Sequence, residues 1–539
     1  MPMSVTPPTL SHPAEQRAAA NFRENRDSLE RSQPGLASLA HAPAEPLEWI
    51  LARDGSLTCM LTGERWWDNC SLPRRAGEFM FKKMVTPGVV ASFLRPAHAA
   101  HLRVTLDMLE PQQAIIALIP EPQVFWVMLH CEDFCQDIAA GRVWFAVGPH
   151  WESQLAELFV ANPGLPTPSQ FIRPIAIDNE PADAMVGPAQ KVFADESERR
   201  SAQIRSRVSV WKPAPRAKKL CIVAPSRFRL WNDAPHTLHQ TLSASREFEV
   251  SRFDSDSPRT ASPVALCKLA TNCDAAITAN ISRADLSGVF PASMPLITWV
   301  TFPRIPAFEG TSPDDALLLA DESWQRLAIE AGWPEARTKV AGWPATQLSA
   351  SGNALSLITD ITTLEVPKAV AGFSSQRILW ESIQHELLNN PFAVGTDIDG
   401  YLKRWQTKCD VDSEHLDRVL FIESLIVPAY QQGLARLLMH NRISLALHGT
   451  GWTELPEFAP YASGPVTSRE RFEQIIQSSA ALVHAWPIAY AHPIQSIGLP
   501  VIRATSTADL LRQVKAPRRQ PPKDPSQMLS AELLRSWLI

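Results

Sequence analysis

Two short stretches carry the residue types that recognition of a phosphate and an aromatic ring requires. His448-Gly449-Thr450-Gly451-Trp452 overlaps the end of the apolar run ISLALHG, and His484-Ala485-Trp486 closes the run AALVHAW, with Tyr490, His492 and Gln495 just beyond. In an open α/β sheet, ligands sit beyond the carboxyl ends of the strands. Glycines at such a place admit a close backbone approach and offer N–H donors to an anion. A lone Gly-x-Gly suits an ordinary turn equally well, and a histidine in an apolar strand also suits a hydrogen-bonded core position. Both readings stay open for Gly449, Gly451 and His484. Support for metal chemistry is thin: His130-Cys131 with Cys135 resembles a ligand cluster, but no Cys-x-x-Cys occurs and no second pair completes a zinc site.

The elements that must position these residues follow from composition and pattern. The chain has 539 residues, of which 45% are apolar, which is room for about three domains with buried cores. Its 51 basic and 56 acidic residues give a net charge of −5, so there is no overall positive field to hold a nucleic acid. The 46 prolines against 22 glycines imply stiff connections and few flexible phosphate loops. Eight cysteines are too sparse for a disulfide framework and read as reduced thiols. With no cationic start before an apolar segment and no membrane-length apolar run, a cytoplasmic location is expected.

Residues 1–45 form a Pro-, Ala- and charge-rich arm with a helix at 13–31. Residues 46–180 make an α/β domain: a hairpin turns at Asp54-Gly55, and the runs AIIALIP and VWFAVG alternate with helices, as parallel strands covered on both faces do. The stretch VTPGVVASFLRPAHAAHL puts Arg95, Pro96 and His98 where a glycine-rich turn would cradle a nucleotide, which favours a structural or acceptor-binding role. Residues 181–217 read as a charged linker. In 218–345 the strands KLCIVAPS, EFEVSRFD, CDAAITANI, PLITWVTF, DDALLLAD and TKVAGWP specify a doubly wound parallel sheet. A further α/β unit, 346–515, contains ALSLITDIT, ISLALHG, a short strand at 462–466, AALVHAW and LPVIRA. Residues 516–539 are a Pro-rich tail with a short docking helix, AELLRSWLI.

The order of these elements resembles the GT-B glycosyltransferase fold: two facing doubly wound Rossmann-like domains, here preceded by a separate N-terminal α/β domain. The stretch LLLADESWQRLAIEAGWPEARTKVAGWPA is similar to the end of a GT-B N-terminal half. HGTGW with SRERFEQIIQSSAALVHAWPIAYAHPIQSIGLPVI is similar to the donor half of CgeB-like and group 1-like enzymes. More loosely, the first domain resembles the N-terminal region of motility accessory glycosyltransferases that modify flagellin.

The resemblance implies that 346–515 binds a UDP- or GDP-sugar and 218–345 an acceptor. Gly449 and Gly451 would then admit the diphosphate, Trp452 or Trp486 flank the base, and His484, His492 and Gln495 meet the diphosphate or sugar. Gln495 stands where the family often has an acid. Arg377, early in a helix, would neutralise the leaving phosphate. In the acceptor half, SRFRLWND brings Arg227 and Asp233, with His236 next; Asp233 and His236 are the base candidates, and Asp233 also suits a helix N-cap. Asn280, Trp299 and Phe302 end strands that would line the cleft. Asp254-Ser255-Asp256 has a metal-binding spacing but lies in the acceptor half, so a metal-independent transfer to a hydroxyl of a glycan or protein is expected, with no cofactor beyond the sugar nucleotide. Two alternatives are a catalytically inactive carbohydrate-binding or scaffold protein of the same fold, and a methyltransferase-like activity in 46–180.

Overall fold

Continuous apolar runs fold here as parallel strands, because helices on both faces remove the need for a polar side. The computed structural model describes residues 13–61, 65–81, 90–109, 113–173, 180–214, 216–223, 233–253, 257–286, 288–301, 305–308, 312–320, 322–342, 352, 354–395, 397–412, 416–466, 469–487, 500–517 and 534. They group into two compact units: Met1–Trp211 with Asp254–Thr271, and Lys212–Phe253 with Asn272–Ile539.

The first unit begins with helix α1 (Pro13–Ser32). Its buried Asn25 donates to the carbonyls of Leu129 (2.8 Å) and Glu132 (2.7 Å) and accepts from the amide of Phe134 (2.7 Å), which fastens the helix to the domain behind it. Strands β1 (Leu47–Leu51) and β2 (Leu57–Leu61) form the antiparallel hairpin, and Asp54 Oδ1 accepts from both the amide and the hydroxyl of Ser56 in its turn. A two-residue strand, β3 (Arg65–Trp66), pairs with β2, and helix α2 (Pro73–Phe81) follows. The chain then runs β4 (Val90–Leu94), α3 (Ala99–Met108), β5 (Ala114–Ile119), α4 (Pro122–Cys131), α5 (Cys135–Ala140), β6 (Val143–Val147), α6 (Trp151–Ala161) and β7 (Gln170–Ile172). These four strands make a parallel sheet ordered β6-β5-β4-β7. The stretch expected as a linker carries α7 (Glu180–Ala184) and the 25-residue α8 (Val186–Val210), where buried Glu196 bonds Arg199 and Arg200.

The second unit runs β8 (Lys219–Val223), α9 (Asp233–Ser245) and β9 (Glu249–Phe253). Helix α10 (Pro263–Ala270), next in the chain, belongs to the first unit. Then come β10 (Ala275–Ala279), β11 (Leu296–Val300), β12 (Ala316–Leu319), α11 (Gln325–Glu330) and β13 (Thr338–Val340). The resulting six-stranded sheet is parallel throughout, with order β13-β12-β11-β10-β8-β9. A second sheet starts with β14 (Ala354–Ile358), followed by α12 (Lys368–Ala371), α13 (Ser374–Asn389), α14 (Ile398–Cys409), α15 (Arg418–Phe421), a π-helical turn at Ile422–Ile426 and α16 (Val427–His440). It continues with β15 (Leu445–His448), α17 (Arg469–Gln477), β16 (Ser479–Val483), β17 (Val501–Ile502) and α18 (Thr507–Lys515). Its order is β15-β14-β16-β17, all parallel. In place of the strand expected at 462–466 there is one bridge, Leu447 to Ala462. Of the expected terminal helix only Leu534 is described, and it is buried in this unit's core.

The protein is thus mixed α/β with several parallel sheets. In each parallel sheet the first strand lies inside, the chain winds outward on one side and then resumes on the other, and the reversal opens a crevice at the strands' carboxyl ends. The reversals fall between β4 and β7, between β8 and β10, and between β14 and β16.

The segment that leaves β9 is held in the first unit by Arg259. Its guanidinium lies 5.0 Å from the ring centre of buried Trp144 and donates to the carbonyls of Ile138 (3.0 Å) and Ala139 (3.2 Å). Ser262 donates from Oγ to Pro163 O (2.6 Å) and from its amide to Gly164 O (2.9 Å). A Cβ at Gly164 would overlap the carbonyl oxygen of Arg259. Gly164→Ala should therefore destabilise the protein by about 1–3 kcal/mol in urea unfolding, a backbone overlap having no side chain that can give way.

Candidate functional site

The crevice at the reversal between β14 and β16 collects the largest set of polar groups expected from the sequence. Strand β14 ends at Ile358, which pairs with His448 on one side, while its neighbour Leu357 pairs with Val483 on the other. His448 and His484 therefore flank the tip of β14, two inter-strand spacings or roughly 10 Å apart.

The loops after β14 and β15 are bonded into one surface. Thr359 N donates to His448 O (2.9 Å) and Ile361 N to Thr450 O (3.0 Å). Asp360 Oδ1 accepts from both the amide (2.8 Å) and the hydroxyl (2.9 Å) of Thr450. From α16, Gln431 donates to Thr359 Oγ1 (3.0 Å) and Gln432 to Thr362 O (3.0 Å). These buried amides hold the β14 loop from behind.

This lattice explains the two glycines. Gly449 (φ +135°) and Gly451 (φ +85°) adopt backbone conformations that side chains disfavour, and a Cβ on either would overlap the carbonyl oxygen of Thr359 or Ile361. Their close approach is to the neighbouring loop. Two of the turn's amides are also committed: Gly449 N donates to Gly464 O (2.9 Å) and Thr450 N to Asp360. The expected N–H donors to a diphosphate are thereby reduced by Gly449 and Thr450.

Two tryptophans expected at a ligand are core residues. Trp452 is fully buried, donates from Nε1 to Thr359 O (2.8 Å) and meets Phe458 edge-on. Trp299 lies inside β11, fully buried, and donates to Ala341 O (3.0 Å). Neither exposes a face to a base or an acceptor. Trp486 is also buried, and its carbonyl meets His484 Nδ1 at 2.9 Å. Arg377 sits on α13 with an exposed side chain paired to Glu381 (3.2 Å), not with the strand-tip residues.

Asn280, just past β10 and at the β8–β10 reversal, has a left-handed backbone (φ 58°). Its side chain accepts from Thr301 N (2.8 Å) and donates to Thr301 Oγ1 (2.6 Å), so it clamps the end of β11. Asp233 and His236 lie in the first turn of α9, beyond β8; their side chains are outside the described set. Arg227, Phe302, Tyr490, His492 and Gln495 fall outside the described residues, as does Asp254-Ser255-Asp256.

Two residues that the sequence did not single out, Asp360 and Arg503, belong to this crevice, and buried Tyr430 lies behind it. Asp360 leaves Oδ2 without a partner among the described residues. Arg503 follows β17 directly and acts electrostatically on both His484 and buried Tyr430. Tyr430 precedes the two amides of α16 that brace the β14 loop.

The histidines here are neutral. Burial, with the charge of Arg471 adding to it, lowers His448 to a pKa of about 4; burial, then Arg503, lowers His484 to about 3. His448 Nδ1 is buried with no partner among the described residues. A second Asp-x-Asp spacing, Asp397-Ile398-Asp399, is used structurally: Asp397 Oδ1 caps α14 at Gly400 N (2.9 Å) and Asp399 pairs with Arg418. At the His130-Cys131 stretch, which the sequence did not support as a metal site, the histidine packs in an aromatic cluster. His130 stacks on Phe22 and Trp49, and its Nδ1 meets Trp126 O at 2.8 Å.

No family model matches the chain, and no curated protein matches it. Among solved structures it matches the MAf glycosyltransferase from Magnetospirillum magneticum AMB-1 at 12% identity and a TM-score of 0.26, over 62% of this chain. The match spans 65% of that protein's length.

Two measurements check this geometry. Gly449→Ala should cost about 1–3 kcal/mol in urea unfolding, through backbone strain and overlap with the β14 loop. His448 and His484 take up protons only on unfolding below their free value of about 6.5. Their contribution is intact above that pH and declines as pH falls towards 4, by about 1.4 kcal/mol per unit for each group. His484→Gln should therefore give a shallower pH dependence of unfolding free energy across that window.

Proposed function

We propose that the second unit is a glycosyltransferase of GT-B type, moving a sugar from a nucleotide diphosphate to a hydroxyl of a glycan or protein. The observation that carries the reading is the convergence of Asp360, His448, Thr450, His484 and Arg503 on the crevice at the reversal of one parallel sheet, in a unit that holds a second such sheet. Ligands of open α/β sheets occupy that position.

The roles follow from the chemistry of each group. Arg503 takes over the part expected of Arg377 and of the glycine turn: a fixed cation that neutralises the diphosphate as it departs. Asp360 Oδ2 supplies the acceptor for a sugar or ribose hydroxyl, a part that Gln495 fills less well because it brings no charge. Neutral His484, held by the Trp486 carbonyl, adds a hydrogen-bonding group without adding repulsion to Arg503. At the six-stranded sheet, the first turn of α9 offers Asp233 and His236 as the base for the acceptor hydroxyl. The proposed reaction uses no metal; of the two Asp-x-Asp spacings of the donor half, Asp397-Ile398-Asp399 and Asp410-Val411-Asp412, the first is occupied by a helix cap and an ion pair. Among the described residues no helix is long and apolar enough to cross a membrane.

The test is donor hydrolysis and transfer with a panel of UDP- and GDP-sugars, beside binding of free UDP and GDP. Arg503→Gln should lower kcat about 100-fold and Asp360→Asn should raise KM, both with unchanged melting temperature. Binding of the free nucleotide with no turnover of any donor would instead favour an inactive scaffold, and binding of S-adenosylmethionine would favour the methyltransferase alternative.

A further inference from the structure

We infer that the first unit carries a binding site for a neutral saccharide, in a groove at the carboxyl ends of β4 and β5. The groove has a volume of about 260 Å³ and is bounded by the end of β2, the short strand β3, the turn after it, the loop that leaves β4 and the first turn of α4. This is where a parallel sheet presents ligands, and it is separate from the crevice assigned to the donor.

Its walls combine aromatic faces with two arginines, Arg65 and Arg95, each paired to a carboxylate outside the lining: Arg65 to Glu45 (3.7 Å) and Arg95 to Glu121 (2.8 Å). Trp66 and Trp67 line it side by side, and Trp67 is fixed by donating from Nε1 to Ala97 O (3.3 Å). Arg95, one residue past β4, adopts a left-handed backbone (φ 44°), donates its amide to Leu118 O (2.9 Å), and donates from Nε to Glu121 Oε1 (2.8 Å). Both terminal nitrogens of its guanidinium have no partner among the described residues. Glu121 Oε2 is buried and has no donor among them. Asn69 adds an exposed amide on the same rim.

The charge balance selects the ligand class. A phosphate or a nucleotide would have to compete with the carboxylates already paired to Arg65 and Arg95, and no glycine turn supplies further amides to it. An uncharged polyol meets no such penalty. Adjacent ring hydroxyls can accept from the terminal nitrogens of Arg95, with the Asn69 amide on the rim offering both a donor and an acceptor. The apolar face of a pyranose covers an indole ring, which buries carbon surface without leaving a polar group unpaired. The occupant is therefore a neutral hexose or N-acetylhexosamine unit. This inference does not rest on the transfer reaction, because it is read as binding with no donor present.

Saturation-transfer NMR on the full chain tests it, with methyl glycosides of glucose, galactose and mannose and N-acetylglucosamine as probes, and UMP and inorganic phosphate as anionic controls. At least one neutral probe should bind, with affinity lowered about tenfold by Trp66→Leu and by Arg95→Gln, and unchanged by Arg503→Gln. Asn69→Ala, at an exposed position, provides the reading if Trp66→Leu fails to fold. Absence of binding by every neutral probe, binding that these groove variants leave unaltered, or loss of UMP rather than saccharide binding in Arg95→Gln would each overturn the inference.

Discussion

The bonding of the β14 loop to the β15 loop is the constraint on which the candidate site depends. Two backbone hydrogen bonds, a carboxylate that takes both donors of Thr450, and the indole of Trp452 turn two separate strand tips into one rigid rim. The rim requires glycine at 449 and 451, since any Cβ would push the loops apart. It also decides what is left for a ligand: the amides of Gly449 and Thr450 are already committed, whereas Asp360 keeps one oxygen. Behind the rim, Gln431 and Gln432 are buried polar side chains with acceptors in hand, so the support is stiff as well as close.

Burial sets the electrostatics of the same place. Both flanking histidines are neutral because desolvation outweighs everything else that acts on them, and nearby arginines push in the same direction. A site built this way keeps its cationic character on guanidinium groups, which stay charged at any pH the protein meets. Its histidines then contribute shape and hydrogen bonding, and protonating them opposes the fold.

Strands with continuous apolar runs, such as AIIALI, LITWV and ALLL, were legible because complete burial needs no alternation, and the Asp54-Gly55 turn announced its hairpin. Arg377 lies early in a helix as expected, α13. What stayed hidden depended on partners far away in the chain. Asp360 looks like one more loop carboxylate until Thr450, ninety residues on, bonds to it. Arg503 reads as the end of an apolar strand. Trp299 and Trp452 show the converse: an aromatic residue at a strand tip either faces a ligand or fills the core, and packing alone decides. The glycine turn was recognised as a place of close approach, but the group approaching it is a carbonyl of the same chain. β7, three residues long, is too short to leave a periodic signal.

Arg259 and the short segment around it have a consequence for how the protein is made. The platform they complete, with Trp144 and the carbonyls of Ile138 and Ala139, is finished within the first 161 residues, yet its arginine follows β8 and β9. During synthesis the leading unit must wait about 60 residues beyond Trp211, roughly 3–12 s at ribosomal speed, before the missing piece emerges. A nascent chain halted in that interval presents an unfilled seat over Trp144. A gene fragment that stops at 211 would yield a protein that carries the same vacancy permanently.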